Sequence, residues 1–178
     1  MKKFLFPTLN ALSLLAVLVV NYLGSAGAIN RQSVGEVSAK YDTLFAPAGY
    51  AFAIWGVIYL LLVAFVGFQF YLVIKKKHPE ILAQTGIWLF LANVANALWI
   101  FAWTHEKIGF SLLLMFLLLF ALIRLIHRHN MEKWDAPLPV LAFVWWPVSF
   151  YTGWIIAATV ANAAAWFTSI GWHGGSVS

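Results

Sequence analysis

Long apolar stretches, broken by short charged clusters, run the whole length of the chain. A hydrocarbon core of about 30 Å is crossed by a helix of roughly 20 apolar residues, and five stretches reach or approach that length. They predict spans at approximately residues 5–27, 49–74, 84–104, 108–126 and 138–167. The fourth is charge-free only as far as Ile123 and extends through Leu125 and Ile126 if Arg124 snorkels to the headgroups. The runs are continuously apolar rather than alternating, and too long for strands, so they predict helices. The expectation is an all-α integral membrane protein: a single transmembrane domain over residues 1–178, built as a five-transmembrane-helix bundle.

The charges fix an expected orientation. Lys2, Lys3, Lys75, Lys76, Lys77, Arg124, Arg128 and Lys133 fall on one side, and Arg31, Lys40 and Lys107 on the other. The positive-inside rule then puts the N-terminus in the cytoplasm and, after an odd number of spans, the C-terminus outside. A bacterial cell membrane is the expected location. Composition agrees with a lipid-solvated surface: 63% of the residues are hydrophobic and 10% charged, against about 25% charged in soluble domains. The net charge of +5 sits in the clusters between spans, which points to topology and away from a nucleic-acid partner. Cysteine is absent, which removes disulfides, thiolate metal sites and a cysteine nucleophile.

A rival reading of the first span is a signal peptide, with Lys2 and Lys3, an apolar run and Ala26-Gly27-Ala28 as its cleavage site; four spans would then remain. Against it, the run is long and Asn21-Tyr22 interrupts the approach. The first loop, about residues 30–47, is polar and is the one candidate for a lid or recognition element. The sequence ends at Gly174-Gly175-Ser176-Val177-Ser178, which fits a complete chain or one shortened from a longer branch.

Within the spans the aromatics share faces. Phe52, Trp55 and Tyr59 form one stripe on the second. Asn96, Trp99 and Trp103 fall on an arc of about 60° on the third, with Asn93 beside them. Tyr151, Trp154, Asn162 and Trp166 lie within about 120° on the fifth. Two readings fit. One is an interhelical pocket walled by aromatics, with amides orienting a ligand; the other is helix-to-helix packing, in which polar contacts average only about 0.6 kcal/mol. In either, a buried amide such as Asn96 or Asn162 must find a partner. Gly153, Ala157, Ala161 and Ala165 form a ladder of small residues that fits close packing within the bundle or a homodimer interface. Pro147 predicts a kink near the start of the fifth helix.

Ionisable residues are missing from the centre of every span, which argues against a proton-coupled pump. No catalytic acid–base pair, nucleophile or metal-ligating constellation is recognisable, so no catalytic or metal residues are assigned. The His127-Arg128-His129 cluster reads as interfacial basic residues, with a metal or axial haem ligand as the alternative. Tyr22, Tyr71 and Trp134 sit where an aromatic belt belongs.

At these aromatic and amide positions the chain resembles the tryptophan-rich sensory protein and translocator protein (TspO/MBR) family, also called peripheral benzodiazepine receptors. Pro47-Ala48-Gly49-Tyr50-Ala51-Phe52, with Trp55 and Tyr59, is similar to the family's Pro-Pro-Gly-Trp-x-Phe…Trp…Tyr start of the second helix. Asn96-Ala97-Leu98-Trp99 matches its Asn-Ala-Leu-Trp motif, and Tyr151, Trp154, Thr159, Asn162 and Trp166 reproduce its fifth-helix spacing. Ala48 and Tyr50 replace a Pro and a Trp, the Phe-to-Trp spacing is one residue shorter, and no basic residue follows Trp166, which marks a divergent branch. A cholesterol-type pattern, Val66…Tyr71…Lys75, occurs instead at the end of the second span, where an aromatic belt beside lysines produces it equally well.

The resemblance implies a membrane receptor or sensor that binds flat hydrophobic ligands, chiefly tetrapyrroles such as protoporphyrin IX or haem, and in some relatives sterols, with no cofactor required. Carried over position by position, Trp55, Tyr59, Asn96, Trp99, Tyr151, Trp154 and Asn162 would line the binding site, and the shared faces of the second and third spans add Phe52 and Trp103 to it. Light-dependent porphyrin degradation, linked to some bacterial relatives, and a role as a transporter or permease component are the alternatives.

Overall fold

The computed structural model describes residues 2–41, 43 and 45–172. The expectations for His173 and for the last five residues lie outside this range. After a 3-10 turn at Lys2–Phe4, the helices are α1 (Leu5–Ser25), α2 (Val34–Lys40), α3 (Ile54–Lys75), α4 (Pro79–Thr85), α5 (Trp88–Thr104), α6 (Ile108–Arg128), α7 (Leu138–Val140) and α8 (Trp146–Ser169). No strand occurs among the described residues. Counting the short lead-in turns, five helical segments are long and apolar enough to cross a membrane: Leu5–Ser25, Gly49–Lys75, Pro79–Thr104, Ile108–Arg128 and Leu138–Ser169. The protein is an all-α five-helix bundle.

The five long helices close into a ring in the spatial order α1, α5, α6, α8, α3. The tightest seams join α5 to α6, α6 to α8 and α1 to α5, whereas α3 touches both its neighbours more lightly. Side-chain size accounts for this. Ala92, Ala95 and Ala102 of α5 and Ser111 and Ala121 of α6 are buried, and small residues let helix backbones approach. A Cβ on Gly24 would lie 2.5 Å from Ile100 Cγ2, so α1 meets α5 at a distance only glycine permits. Along α3 the inward positions carry Trp55, Tyr59, Phe65 and Phe68, whose rings hold the neighbouring backbones away.

Three local features depart from the expected spans. The third span begins earlier than predicted and is broken: α4 stops at Gly86, whose φ of 47° and ψ of −130° suit glycine, and α5 restarts at Trp88. The irregularity expected at Pro147 takes the form of a π-turn at Leu141–Trp145, immediately before it. Proline has no N–H to offer the carbonyl four residues back, so the helix widens there instead of continuing regularly. The first loop contains α2, which starts with a reciprocal capping box: Ser33 Oγ accepts from Glu36 N at 3.1 Å, and Glu36 Oε2 accepts from Ser33 N at 2.6 Å.

The small-residue ladder of α8 does not form one continuous seam inside the bundle. Gly153 and Ala157 are exposed, with nothing within 4 Å of a Cβ on Gly153, whereas Ala165 is buried. Val66 is buried while Tyr71 and Lys75 are exposed, so the cholesterol-type pattern does not assemble into one surface. The histidine cluster also divides: His127 and Arg128 are exposed, but His129 is buried. Arg128 donates to the carbonyls of Ala83 and Gln84, both at 2.8 Å, which ties α6 to the end of α4.

A polar seam joins α1, α3 and α5. Asn10 Nδ2 donates to Gln69 Oε1 at 2.9 Å, Asn93 Nδ2 donates to Ser13 Oγ at 3.0 Å, and Ser13 Oγ donates to the Asn10 carbonyl at 3.1 Å. Asn10, Gln69 and Asn93 are fully buried. Through this seam α1 is an integral member of the bundle.

Candidate functional site

The 3-10 turn Gly49–Ala53 and the first turns of α3 deliver the aromatic stripe to the interior. Trp55 stacks on Tyr59 with centroids 5.3 Å apart and an interplanar angle of 19°. It meets Tyr151 and Trp154 of α8 edge-on at 6.0 and 6.2 Å, and Phe52 meets Trp154 at 6.3 Å. On α5, Trp99 stacks on Trp103 at 5.7 Å. Edge-to-face and offset contacts place positive ring edges against negative ring faces, typically adding about 0.5–1.5 kcal/mol each to the area buried.

Both amides singled out in the sequence find protein partners. Asn96 Nδ2 donates to Tyr151 Oη at 2.8 Å and, at a longer 3.4 Å, to Tyr59 Oη. Asn162 Oδ1 accepts from Trp99 Nε1 at 2.9 Å, and Asn162 Nδ2 donates to Ser111 Oγ at 3.0 Å. Ser111 passes its own proton to the Ile108 carbonyl at 2.7 Å. Two polar atoms of the site stay without a partner while buried, Asn96 Oδ1 and Trp154 Nε1. Ser111 and Val34, whose carbonyl accepts from Trp103 Nε1 at 3.0 Å, were missed in the sequence. A lone serine or a backbone carbonyl carries no signal until its neighbour is known.

Two cavities flank the N-terminal half of α3. One, between α3, α5 and α8 under α2, offers only about 30 Å³, room for about two waters; Trp103, Trp154 and Asn162 line it. The other, between α1 and α3, holds about 480 Å³ and is lined by Asn21, Ser25, Ser33 and Tyr59 among others. Phe52, Trp55, Trp99 and Val34 border both and form the partition between them. Seven of the nine residues expected at the site therefore reach a cavity wall. Asn96 and Tyr151 stand behind it as supports, linked by their hydrogen bond. Trp166 belongs elsewhere: it packs beside Gly109 and against Phe167, at 5.1 Å from the latter.

The short helix α2 covers the smaller cavity and is clasped to the turn after α5. Asn30 Nδ2 and Gln32 Nε2 both donate to the Thr104 carbonyl, at 2.8 and 2.6 Å. Lys40 Nζ donates to Gln32 Oε1 at 2.6 Å and forms an ion pair with Glu106. The hydrogen bond from Lys40, with one from Gln32, holds the Glu106 carboxyl below its ordinary range. Tyr41, just after α2 and 6.3 Å from Trp103, has its phenol pushed up by burial and by the Glu106 charge. The site as a whole offers π-faces, an indole N–H and an amide oxygen.

The sequence model of the family described as TSPO-like protein matches residues 7–178. The chain belongs to that family. No curated protein and no solved structure matches it. In this TSPO-like protein the departure at Tyr50 faces outward, since that side chain is 85% exposed. The aromatic residues that meet across the bundle, Phe52, Trp55, Tyr59, Tyr151 and Trp154, are among those that carry the resemblance.

Proposed function

We propose that this multi-pass TspO-type membrane protein binds a flat hydrophobic ligand, a tetrapyrrole such as protoporphyrin IX or haem, between α3, α5 and α8 beneath α2, and serves as a sensor or handler of it. The observation that carries this reading is the buried Trp154 Nε1, left without a partner among rings from two helices. A buried indole N–H with no acceptor is costly, and a bound ligand supplies one. The larger cavity of about 480 Å³ lies in the usual range of about 300–1,000 Å³ for ligand sites. A macrocycle entering there stacks on the Trp55 partition, while its carboxylates meet the polar rim formed by Asn21, Ser25 and Ser33. The inner cavity is too small as it stands, so full occupancy requires α3 to swing away from α8 or α2 to unclasp.

Titration of the detergent-purified protein with protoporphyrin IX, read by tryptophan quenching and porphyrin absorbance, tests the reading. Saturable binding weakened by Trp154→Ala or Trp55→Ala is expected. Absence of saturable binding, or indifference to both changes, would sink it and leave the aromatics as packing. Porphyrin loss in light but not in darkness would shift the role to photochemical degradation. Net porphyrin flux across proteoliposomes would shift it to transport.

A further inference from the structure

At the end of the bundle that carries the N-terminus, away from the aromatic chamber, a groove of about 370 Å³ opens between α1, α3 and α4. Its floor is apolar, with Phe6, Leu72 and Leu82, and its rim carries Lys3, Lys76 and Lys77. The ion pairs among the described residues are Lys40–Glu106 and His78–Glu80, so no carboxylate there answers the three lysines. Glu80, the acid closest to them in sequence, is occupied by His78 Nδ1 at 2.8 Å.

The lysine side chains are not used to cap α3 either. The backbone does that: Lys77 N donates to the Leu72 carbonyl at 3.0 Å and Lys76 N to that of Val73 at 3.3 Å. This closure puts Lys76 at φ 54° and ψ 37°, the left-handed position where glycine is the usual occupant. A lysine held there keeps a charge at the groove at some backbone cost.

We propose that this groove binds one anionic phospholipid of the adjacent leaflet. Its phosphate meets Lys3, Lys76 and Lys77, and its acyl chains lie along Phe6 and Leu82. The depth fits, because the spans of α1 and α3 end at Leu5 and Lys75, which puts the lysines at headgroup level. Charge selects the lipid class: a zwitterionic headgroup brings its own cation toward three ammonium groups, and an anionic one does not.

Native mass spectrometry of the detergent-purified protein, with phosphatidylglycerol or chain-matched phosphatidylcholine added, is the test. One phosphatidylglycerol is expected to survive activation that strips phosphatidylcholine. Lys3→Gln, Lys76→Gln and Lys77→Gln together should weaken its apparent affinity by at least about tenfold, since each interfacial lysine contributes about 1 kcal/mol. A charge-matched variant outside the groove, Lys75→Gln with Lys107→Gln and Lys133→Gln, should change it less than about twofold. Equal loss in both variants would show a diffuse attraction and overturn the site, as would equal retention of both lipids. Displacement by water-soluble glycerol phosphate at lipid-like concentrations would overturn the acyl-chain half of the proposal. None of these outcomes depends on whether the aromatic chamber binds a tetrapyrrole.

Discussion

The two flanks of the bundle are built on opposite plans. On the α5–α6–α8 flank, small residues bring backbones together and the buried Asn162 is answered by Trp99 and Ser111. On the α3 flank, large rings keep backbones apart, two cavities remain, and Trp154 Nε1 is left without a partner. The first plan makes a seam that resists opening; the second leaves space between its helices. Substitutions on the tight flank should therefore cost stability, and those on the loose flank should cost binding.

The largest expected effect comes from pH. His129 is 1% exposed and its Nε2 lies 3.1 Å from Thr85 Oγ1. The threonine proton already goes to the Ile81 carbonyl at 2.9 Å, so the imidazole donates from Nε2. Burial, with Arg128 beside it, pushes the His129 pKa down to about 4. The unfolded chain takes up a proton near pH 6.5 and the folded one does not, so stability is full above that value. It falls as pH drops, by an amount on the order of 3 kcal/mol near pH 4. The carboxylates Glu36, Glu80 and Glu106, held below their ordinary range by hydrogen bonds to Ser33, to the backbone and His78, and to Lys40 respectively, add stability at neutral pH that is lost as pH falls through about 4.5. Thermal unfolding in detergent between about pH 6.5 and 5.5 reads mainly the histidine, and His129→Gln should flatten the curve there.

Next comes a direct contrast of glycines. Gly24→Ala drives a Cβ to 2.5 Å from Ile100, a stiff β-branched neighbour, and should cost about 1–3 kcal/mol. Gly56→Ala on α3 meets nothing within 4 Å and should be neutral or stabilising by up to about 1 kcal/mol. Equal melting shifts for the two would erase the difference between the flanks. Asn162→Leu strands the Trp99 indole and should cost about 1–2 kcal/mol, whereas Trp154→Phe, which keeps a ring and removes an unpartnered N–H, should cost below about 1.5 kcal/mol and weaken protoporphyrin binding. The smallest effect is at the lid clasp. Lys40 and Glu106 are about half and two-fifths exposed, 48% and 39%, so Lys40→Gln should cost below about 1 kcal/mol, less at high salt. Stopped-flow association should nevertheless quicken if α2 has to lift.

The spans were legible because lipid imposes a length and helices a period, and both are written locally. The same periodicity placed Phe52, Trp55 and Tyr59 on one stripe, and the structure keeps them together. What periodicity does not carry is the partner across the seam. Asn96 and Asn162 were rightly read as amides in need of partners, yet nothing local says that Tyr151 and Ser111 answer them. Gln69 and Asn10 went unnoticed for the same reason, since each looks like a stray polar residue until the other faces it. Two further features are written locally: Ser33-Val34-Gly35-Glu36 carries the capping-box spacing that starts α2, and Gly86 interrupts an otherwise helical run.

The Asn10–Gln69 bond joins residues 59 positions apart in the chain, and that interval has a consequence for biogenesis. When α1 first enters the bilayer, Gln69 has yet to be made, so the Asn10 amide has no helix to meet. Until α3 arrives that amide lacks its partner, a cost that the apolar remainder of α1, of mean hydropathy 1.7, has to offset. The bond therefore forms only once α3 is in place, and a nascent chain stalled before residue 69 should hold its first helix less firmly than the finished bundle does.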